Sequence, residues 1–118
     1  MIKSTYYQDL TKMNTFRMRV KAKCFIEYDS VADLVDIEFE ELARPILHIG
    51  GGSNLLFTED FKGTVLHSKI DFIEILDQED ESASSVLVSV GAGVVFDDFC
   101  DWAAKEGLWG VENLSDIP

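Results

Sequence analysis

The chain has 118 residues, of which 47% are hydrophobic and 27% are charged, a balance typical of one globular domain. Its net charge of -12 argues against binding to nucleic acid or to an anionic membrane surface, because both require a basic protein surface. The first residues lack the apolar core of a signal peptide, and no stretch approaches the roughly 18 apolar residues of a membrane helix. These features predict a cytoplasmic protein.

The first elements predicted along the chain form a β-α-β unit. Alternating apolar residues from 20 to 28 predict a half-buried strand. Ser30 then supplies a helix N-cap, and residues 31–42 carry apolar side chains at helical spacing until Pro45 ends the segment. The acidic side chains of this helix are assigned to its solvated face, without a catalytic role. The apolar run of residues 46–49 is predicted as the next strand and leads into a glycine-rich loop.

This loop is the strongest candidate for a binding site. It consists of Gly50, Gly51, Gly52, Ser53 and Asn54. Glycines have no Cβ, so a ligand can approach their backbone N–H groups, and the serine and asparagine add a hydroxyl and an amide donor. Each hydrogen bond to a charged oxygen is worth about 1.5–3 kcal/mol, so three or four of them could anchor a pyrophosphate.

Two common phosphate-binding motifs are excluded by the residues that follow this loop. A P-loop requires a lysine after the glycines, and a dinucleotide fingerprint requires a glycine that opens a helix. This chain instead has the apolar run Leu55, Leu56 and Phe57, which we predict as a strand. Local chemistry therefore leaves two interpretations open: an anion site between two strands, or a glycine-rich hairpin turn of purely structural importance.

The second half of the chain predicts further strands and one helix. Strands are expected at residues 63–67, 72–76 and 86–90, with the last two joined as a hairpin by the acidic, serine-rich residues 77–85. A helix whose apolar face is marked by residues 95, 99, 102 and 103 should follow, with Gly107 just past its end.

The turn before this helix is a second candidate for one side of a ligand-binding site. It consists of Gly91, Ala92 and Gly93. Its backbone N–H groups could bind an anion at the start of the helix. The alternative is a tight packing turn.

No metal site is predicted. The two cysteines, Cys24 and Cys100, lie in a predicted strand and a predicted helix, so we expect free, buried thiols. A zinc site built from these cysteines with His48 and His67 is disfavoured, because the spacing typical of zinc ligands is missing. His67 is predicted to be a strand side chain.

Five motifs occur in the order and spacing of one family. They are Asn14-Thr15-Phe16, the segment 46–57 around the glycine loop, Gly63-Thr64-Val65, Val90-Gly91-Ala92-Gly93 and the segment 112–118. Together they resemble the amino-terminal part of the MurB family, the UDP-N-acetylenolpyruvoylglucosamine reductases, whose flavin fold is shared with vanillyl-alcohol-oxidase type flavoproteins. One departure is Arg17, where the family usually has glycine.

The resemblance implies a mixed α+β, PCMH-type FAD-binding fold. Residues 1–70 would form the first FAD-binding lobe and residues 71–118 the beginning of a second, mostly antiparallel lobe with a helix. FAD would be bound through its pyrophosphate by residues 50–54, with Gly91, Ala92 and Gly93 nearby. NADPH would be the hydride donor and UDP-N-acetylglucosamine enolpyruvate the substrate of the intact enzyme.

The resemblance also implies that the chain holds only part of such an enzyme. The substrate domain and the catalytic serine, arginine and glutamate of the family come later, so no catalytic residue is assigned here. We expect the chain alone to be inactive, to bind FAD weakly and to self-associate through partly exposed Leu55, Trp102, Trp109 or Leu114. Another flavin oxidoreductase of this fold, or a non-catalytic nucleotide-binding or structural module, stays open as an alternative.

Overall fold

A computed structural model describes residues 1–14, 16–50, 55–76 and 85–114. Two sheets and two α-helices make up the described fold. The strands are β1 (Lys3–Asp9), β2 (Lys21–Tyr28), β3 (Ile46–Ile49), β4 (Phe61–Ser68), β5 (Ile73–Ile75) and β6 (Val88–Val90), and the helices are α1 (Val31–Asp36) and α2 (Phe96–Lys105). Short 3-10 turns occur at Thr11–Met13 and Phe39–Glu41. Neither α-helix is long and apolar enough to cross a membrane, a finding that applies to the described residues.

The larger sheet has four strands in the order β1-β2-β4-β3. Strands β2 and β3 both run parallel to the central strand β4, while β1 is antiparallel to β2. The smaller sheet is the antiparallel pair β5 and β6. This arrangement confirms the predicted mixed α+β class, and it places the carboxyl ends of three parallel strands at one edge of the larger sheet.

Both faces of the larger sheet are covered. One face carries the buried cluster of Leu10, Val20, Ala22, Phe25, Ile49, Phe57 and Val65. The other carries Cys24, Ile26, Tyr28, Ile37 and Leu66, against which residues 34–46 pack from the connection between β2 and β3. Burial on both faces is typical of parallel strands, and in β4 it buries four consecutive residues, Gly63 to Leu66.

Helix α1 is shorter than the spacing predicted. Its N-cap is confirmed, because the Ser30 hydroxyl accepts a hydrogen bond of 3.1 Å from the Asp33 N–H. The helix ends at Asp36 instead of Leu42, and Ile37 takes an extended backbone with φ -73° and ψ 123°. The extended backbone carries Ile37 into the core beside Leu66. Burial of this side chain therefore outweighs continuation of the helix.

The prediction of a strand at Leu55–Phe57 was wrong. These residues have no strand structure, and β4, the next strand along the chain, runs parallel to β3. The chain must therefore return from the carboxyl end of β3 to the amino end of β4. On this path Phe57 is buried in the core and Leu55 packs against the same cluster. The apolar run reflects a crossing over the sheet face and not strand pairing. Strands β4, β5 and β6 confirm the strands predicted at residues 63–67, 72–76 and 86–90. The antiparallel pairing of β5 with β6 confirms the predicted hairpin, and α2 confirms the predicted helix.

Asn14 closes the loop that joins β1 to β2. The backbone N–H of Leu10 donates to the carbonyl of Val20 at 2.8 Å, and this hydrogen bond joins the two ends of the loop. Inside it, the Asn14 amide donates to the carbonyls of Leu10 at 2.7 Å and Met18 at 3.3 Å, and its oxygen accepts from the Met18 N–H at 2.9 Å. Asn14 is only 3% exposed. Its role within the Asn-Thr-Phe motif is therefore structural.

Arg17 occupies a backbone conformation that favours glycine. Its φ is +54°, within the left-handed region where a side chain is unfavourable. This observation gives a physical reason for the glycine that the family usually has here. Arginine at this position costs conformational energy that glycine avoids.

Replacing Arg17 by glycine is expected to raise the free energy of unfolding by about 0.5–1 kcal/mol, because the strain of the left-handed backbone is removed. Arg17→Ala is the matched control, since alanine removes the charge but keeps the Cβ. Urea denaturation followed by circular dichroism measures both variants. An equal gain from alanine would show that the charge, and not the backbone, is responsible.

Candidate functional site

The carboxyl edge of the larger sheet is the candidate site. Ile49, the last residue of β3, pairs with His67 on β4, so Gly50 lies beside the end of β4. Gly50 is exposed, and a Cβ placed on it would meet no atom of the described residues within 4 Å. The described part of the fold therefore leaves space for a ligand beside Gly50. The other predicted binding residues of the loop, Gly51, Gly52, Ser53 and Asn54, lie outside the described residues.

The second glycine turn packs against the chain that leaves β4. A Cβ on Gly91 would overlap the Ile70 carbonyl oxygen and lie 2.6 Å from its carbon, and one on Gly93 would lie 2.7 Å from the Cα of Lys69. The Gly91 N–H donates to the Phe72 carbonyl at 2.8 Å, and the Gly93 N–H donates to the Ile70 carbonyl at 2.7 Å. These two N–H groups are therefore bound within the protein. The glycines are required for close packing, whereas Ala92 is exposed.

The topology brings the two glycine motifs to the same edge. Gly50 follows β3, while Lys69 and Ile70 follow the neighbouring strand β4 and hold the turn of residues 91–93. Ligands of parallel sheets bind outside the carboxyl ends of the strands. A ligand at this edge would lie between the open loop at Gly50 and the packed turn. The part that Gly91, Ala92 and Gly93 play toward a cofactor stays a prediction.

The histidines and cysteines considered as metal ligands have other surroundings in the fold. His67 on β4 faces its register partner on β2, and its Nδ1 lies 2.8 Å from the Glu27 carboxylate. Cys24 is buried on β2 next to β1, and His48 is exposed on β3. Nowhere in the described ranges do three histidine, cysteine or carboxylate side chains gather as metal ligands. The geometry gives the zinc alternative no support.

Cys100 anchors the segment that follows α2. Its thiol is buried and donates to the Val111 carbonyl at 3.1 Å. Burial raises the pKa of this thiol, and the carboxylates of Asp97, Asp101 and Glu112 raise it further. A thiol held in its protonated form is a poor nucleophile. Cys100 is therefore a packing residue, as its position in the sequence predicted.

Large apolar side chains remain exposed in the second half of the chain. Trp109 is 89% exposed, so it is not a core residue of the described chain, while Trp102 is half-buried and stacks on Phe99 with ring centroids 6.0 Å apart. Leu114 is also exposed and Leu55 is half-buried. A groove of about 960 Å³ lies between residues 85–88 and residues 107–112. This surface is apolar enough to be covered by additional protein.

Comparison with known proteins identifies the class to which this fold belongs. The family described as "FAD binding domain" matches residues 22–118. The chain therefore belongs to the FAD-binding domain family, and FAD is the cofactor that this family binds.

Two relatives from curated proteins carry the name UDP-N-acetylenolpyruvoylglucosamine reductase. The chain is 50% identical over 110 residues to the protein of Bacteroides fragilis strain YCH46 and 41% identical over 112 residues to that of Porphyromonas gingivalis ATCC 33277, with 92% of this chain covered in each case. The chain spans about a third of the length of these relatives, since it covers 32% of each. These matches confirm the resemblance inferred from the motifs.

A solved structure shows the same fold. The whole chain superimposes on 38% of the MurB reductase from Thermus caldophilus, with a TM-score of 0.66 and 23% sequence identity. The predicted flavin-binding fold is thus confirmed.

Proposed function

We propose that this chain is the FAD-binding part of a UDP-N-acetylenolpyruvoylglucosamine reductase. The observation that carries the proposal is the 50% identity over 110 residues to a protein of that name. The intact protein would use NADPH to reduce the enolpyruvyl group of UDP-N-acetylglucosamine enolpyruvate, which yields UDP-N-acetylmuramate for peptidoglycan. FAD, when bound, would supply the hydride-transfer chemistry between NADPH and the enolpyruvyl double bond.

The chain's own contribution is to bind and position the cofactor. Gly50 leaves space at the carboxyl edge of the sheet for a phosphate to reach the backbone. We assign the FAD pyrophosphate to this loop, residues 50–54, where backbone and side-chain donors would neutralise its charge. The N–H groups of Gly91 and Gly93 already donate to backbone carbonyls, so they would not bind the cofactor. The turn of residues 91–93 would instead contribute to the shape of the site through the exposed Ala92.

The two sheets support a division into two lobes. The larger sheet uses residues 3–68 and the smaller one uses residues 73–90, with the chain passing between them at residues 69–72. This matches the proposed boundary near residue 70. Catalytic side chains are assigned to the rest of the intact protein, which we place in the cytoplasm. The chain alone is expected to bind FAD weakly, to lack reductase activity and to self-associate through surfaces such as Trp109.

The assignment is tested on the intact protein purified from its source. We expect flavin absorbance bands and NADPH oxidation that depends on UDP-N-acetylglucosamine enolpyruvate, with UDP-N-acetylmuramate identified by mass spectrometry. NADPH oxidation that consumes oxygen and ignores this substrate would instead indicate an oxidase of the same fold. Absence of flavin after reconstitution would contradict the assignment of the edge at Gly50.

Replacing Gly51 by valine in the intact protein is expected to weaken FAD binding by at least about tenfold, because a branched side chain keeps the pyrophosphate from the backbone and loses one or more charged hydrogen bonds. Ala104→Val, on the exposed surface of α2, is the control for adding the same kind of side chain elsewhere. Flavin fluorescence titration measures the affinity, and circular dichroism checks the fold. Equal FAD affinity in the two variants would remove the loop from the site.

A further inference from the structure

The positive charge of this acidic protein is concentrated in one segment. Five of its ten basic residues lie between residues 12 and 23, within a stretch from residue 10 to residue 26 that has no aspartate or glutamate. The chain as a whole carries a net charge of -12. Such segregation creates a local positive potential that survives within roughly one Debye length, about 8 Å at physiological salt.

Four of these cations line one cleft. The cleft has a volume of about 960 Å³ and is bounded by the end of β1, the loop closed by Asn14 and the starts of β2 and β4. Its charged lining consists of Lys12, Arg17, Arg19 and Lys21 with the carboxylates of Asp9 and Asp60. The other residues that line the cleft are uncharged, so its four cations outnumber its two carboxylates.

Both carboxylates in the cleft are already bound to neutral donors. Asp9 accepts hydrogen bonds from the Thr11 N–H at 2.9 Å and the Thr11 hydroxyl at 2.5 Å. Asp60 accepts from the backbone N–H of Lys21 at 2.8 Å. The hydrogen bonds from Thr11 lower the pKa of Asp9, and the charges of Lys21 and Arg19 lower it further, so the positive field reaches this carboxylate.

Among the described residues, none of the four cations forms an ion pair with a carboxylate. The ion pairs found there join the Met1 ammonium to Asp29 and Asp33, and His67 to Glu27. Two guanidinium and two ammonium groups therefore line one concave surface that holds only two carboxylates. Guanidinium groups present paired donors that match phosphate oxygens, and ammonium groups add mobile point charges.

The cleft is distinct from the FAD edge. It lies at the amino ends of β2 and β4, whereas Gly50 lies at the carboxyl end of β3. Pairing of Phe61 with Ala22 and of Ile49 with His67 places the two sites at opposite ends of β4, about 20 Å apart at roughly 3.3 Å per residue. One dinucleotide phosphate group cannot occupy both.

We propose that this basic cleft is a second phosphate site, which binds the diphosphate group of a nucleotide independently of FAD. Its volume is of the size that holds a nucleotide-sized ligand. The site goes beyond the proposed reductase function and does not depend on it. Uridine and nicotinamide nucleotides carry the same diphosphate chemistry, so the experiment must distinguish these sources.

The test measures binding of sodium pyrophosphate to the chain by isothermal titration calorimetry, with wild type, Lys21→Gln and Lys23→Gln. Both lysines lie on β2 with exposed side chains, but only Lys21 lines the cleft. We expect Lys21→Gln to weaken binding about tenfold, as for the loss of one charged hydrogen bond, and Lys23→Gln to have less than about a twofold effect. Binding should weaken as salt is raised.

Separate titrations with UDP and NADP+ identify the source of the diphosphate, since the preferred nucleotide should bind more tightly than pyrophosphate and depend equally on Lys21. Equal effects of the two lysine variants, or no binding of pyrophosphate, would overturn the proposal. FAD titration of the same variants in the intact protein keeps the two hypotheses apart. Absence of FAD binding by the intact wild-type protein, with Lys21-dependent pyrophosphate binding retained, would refute only the reductase assignment.

Discussion

Replacing Gly91 by alanine is expected to lower the free energy of unfolding by about 2–3 kcal/mol, whereas Gly50→Ala is expected to change it by less than about 0.5 kcal/mol. A Cβ on Gly91 would overlap the Ile70 carbonyl, which the backbone can relieve only by giving up the hydrogen bond from Gly91 to Phe72. A Cβ on Gly50 meets nothing within 4 Å. The pair therefore separates a glycine needed for packing from one that leaves room for a ligand.

Urea denaturation followed by circular dichroism measures both glycine variants, and FAD titration of the intact protein supplies the second readout. Gly50→Ala should keep the free energy of unfolding of wild type, and any effect of this variant should appear as weaker FAD binding. Equal stability of the two variants would show that the turn at residue 91 can move away from Ile70. In that case the close packing described for this turn would be wrong.

Asn14→Ala should destabilise the chain by about 2–3 kcal/mol. The truncation removes three hydrogen bonds and leaves the carbonyls of Leu10 and Met18 and the N–H of Met18 without this partner in a shielded loop. Asn14→Asp keeps the size and the acceptor but loses the donor, so it is expected to lose a large part of the same stability.

Asn113→Ala is the matched control for Asn14, because it removes the same side chain from an exposed position. Its stability should stay within about 0.5 kcal/mol of wild type. Chemical denaturation of the three variants decides the question. If Asn14→Ala were as stable as Asn113→Ala, the backbone hydrogen bonds of the loop, such as that from Leu10 to Val20, would have to hold it without the Asn14 side chain.

Three of the four strands of the larger sheet could be predicted from the sequence because clear signals bound them, whereas β1 was not predicted. Alternation marks β2, Ser30 marks the start of α1, and the residues around Gly63 mark β4. The early end of α1 could not be predicted, since it depends on Ile37 finding a place in the core beside Leu66. The run at residues 55–57 was misassigned for a related reason. Periodicity cannot distinguish a strand from a segment that crosses a buried face.

The candidate site was predicted only in part. Its glycines are visible in the sequence, but their different roles depend on neighbours such as Ile70 that are distant in the chain. The basic cleft was missed because its residues come from β1, the following loop, β2 and the residue before β4. The available signal was the block of basic residues without acidic ones between residues 10 and 26. The overall charge of -12 concealed it.

The central position of β4 has a consequence for how this protein is made. Strands β2 and β3 do not pair with each other; each pairs with β4, which is also the last strand of the sheet to leave the ribosome. Until residue 68 has emerged, β3 has no partner and the apolar faces of β2 remain open, so the nascent chain exposes surface that binds chaperones or aggregates. Arrival of β4 then completes both parallel pairings. The larger sheet can thus close as a unit before residues 69–118 have been synthesised.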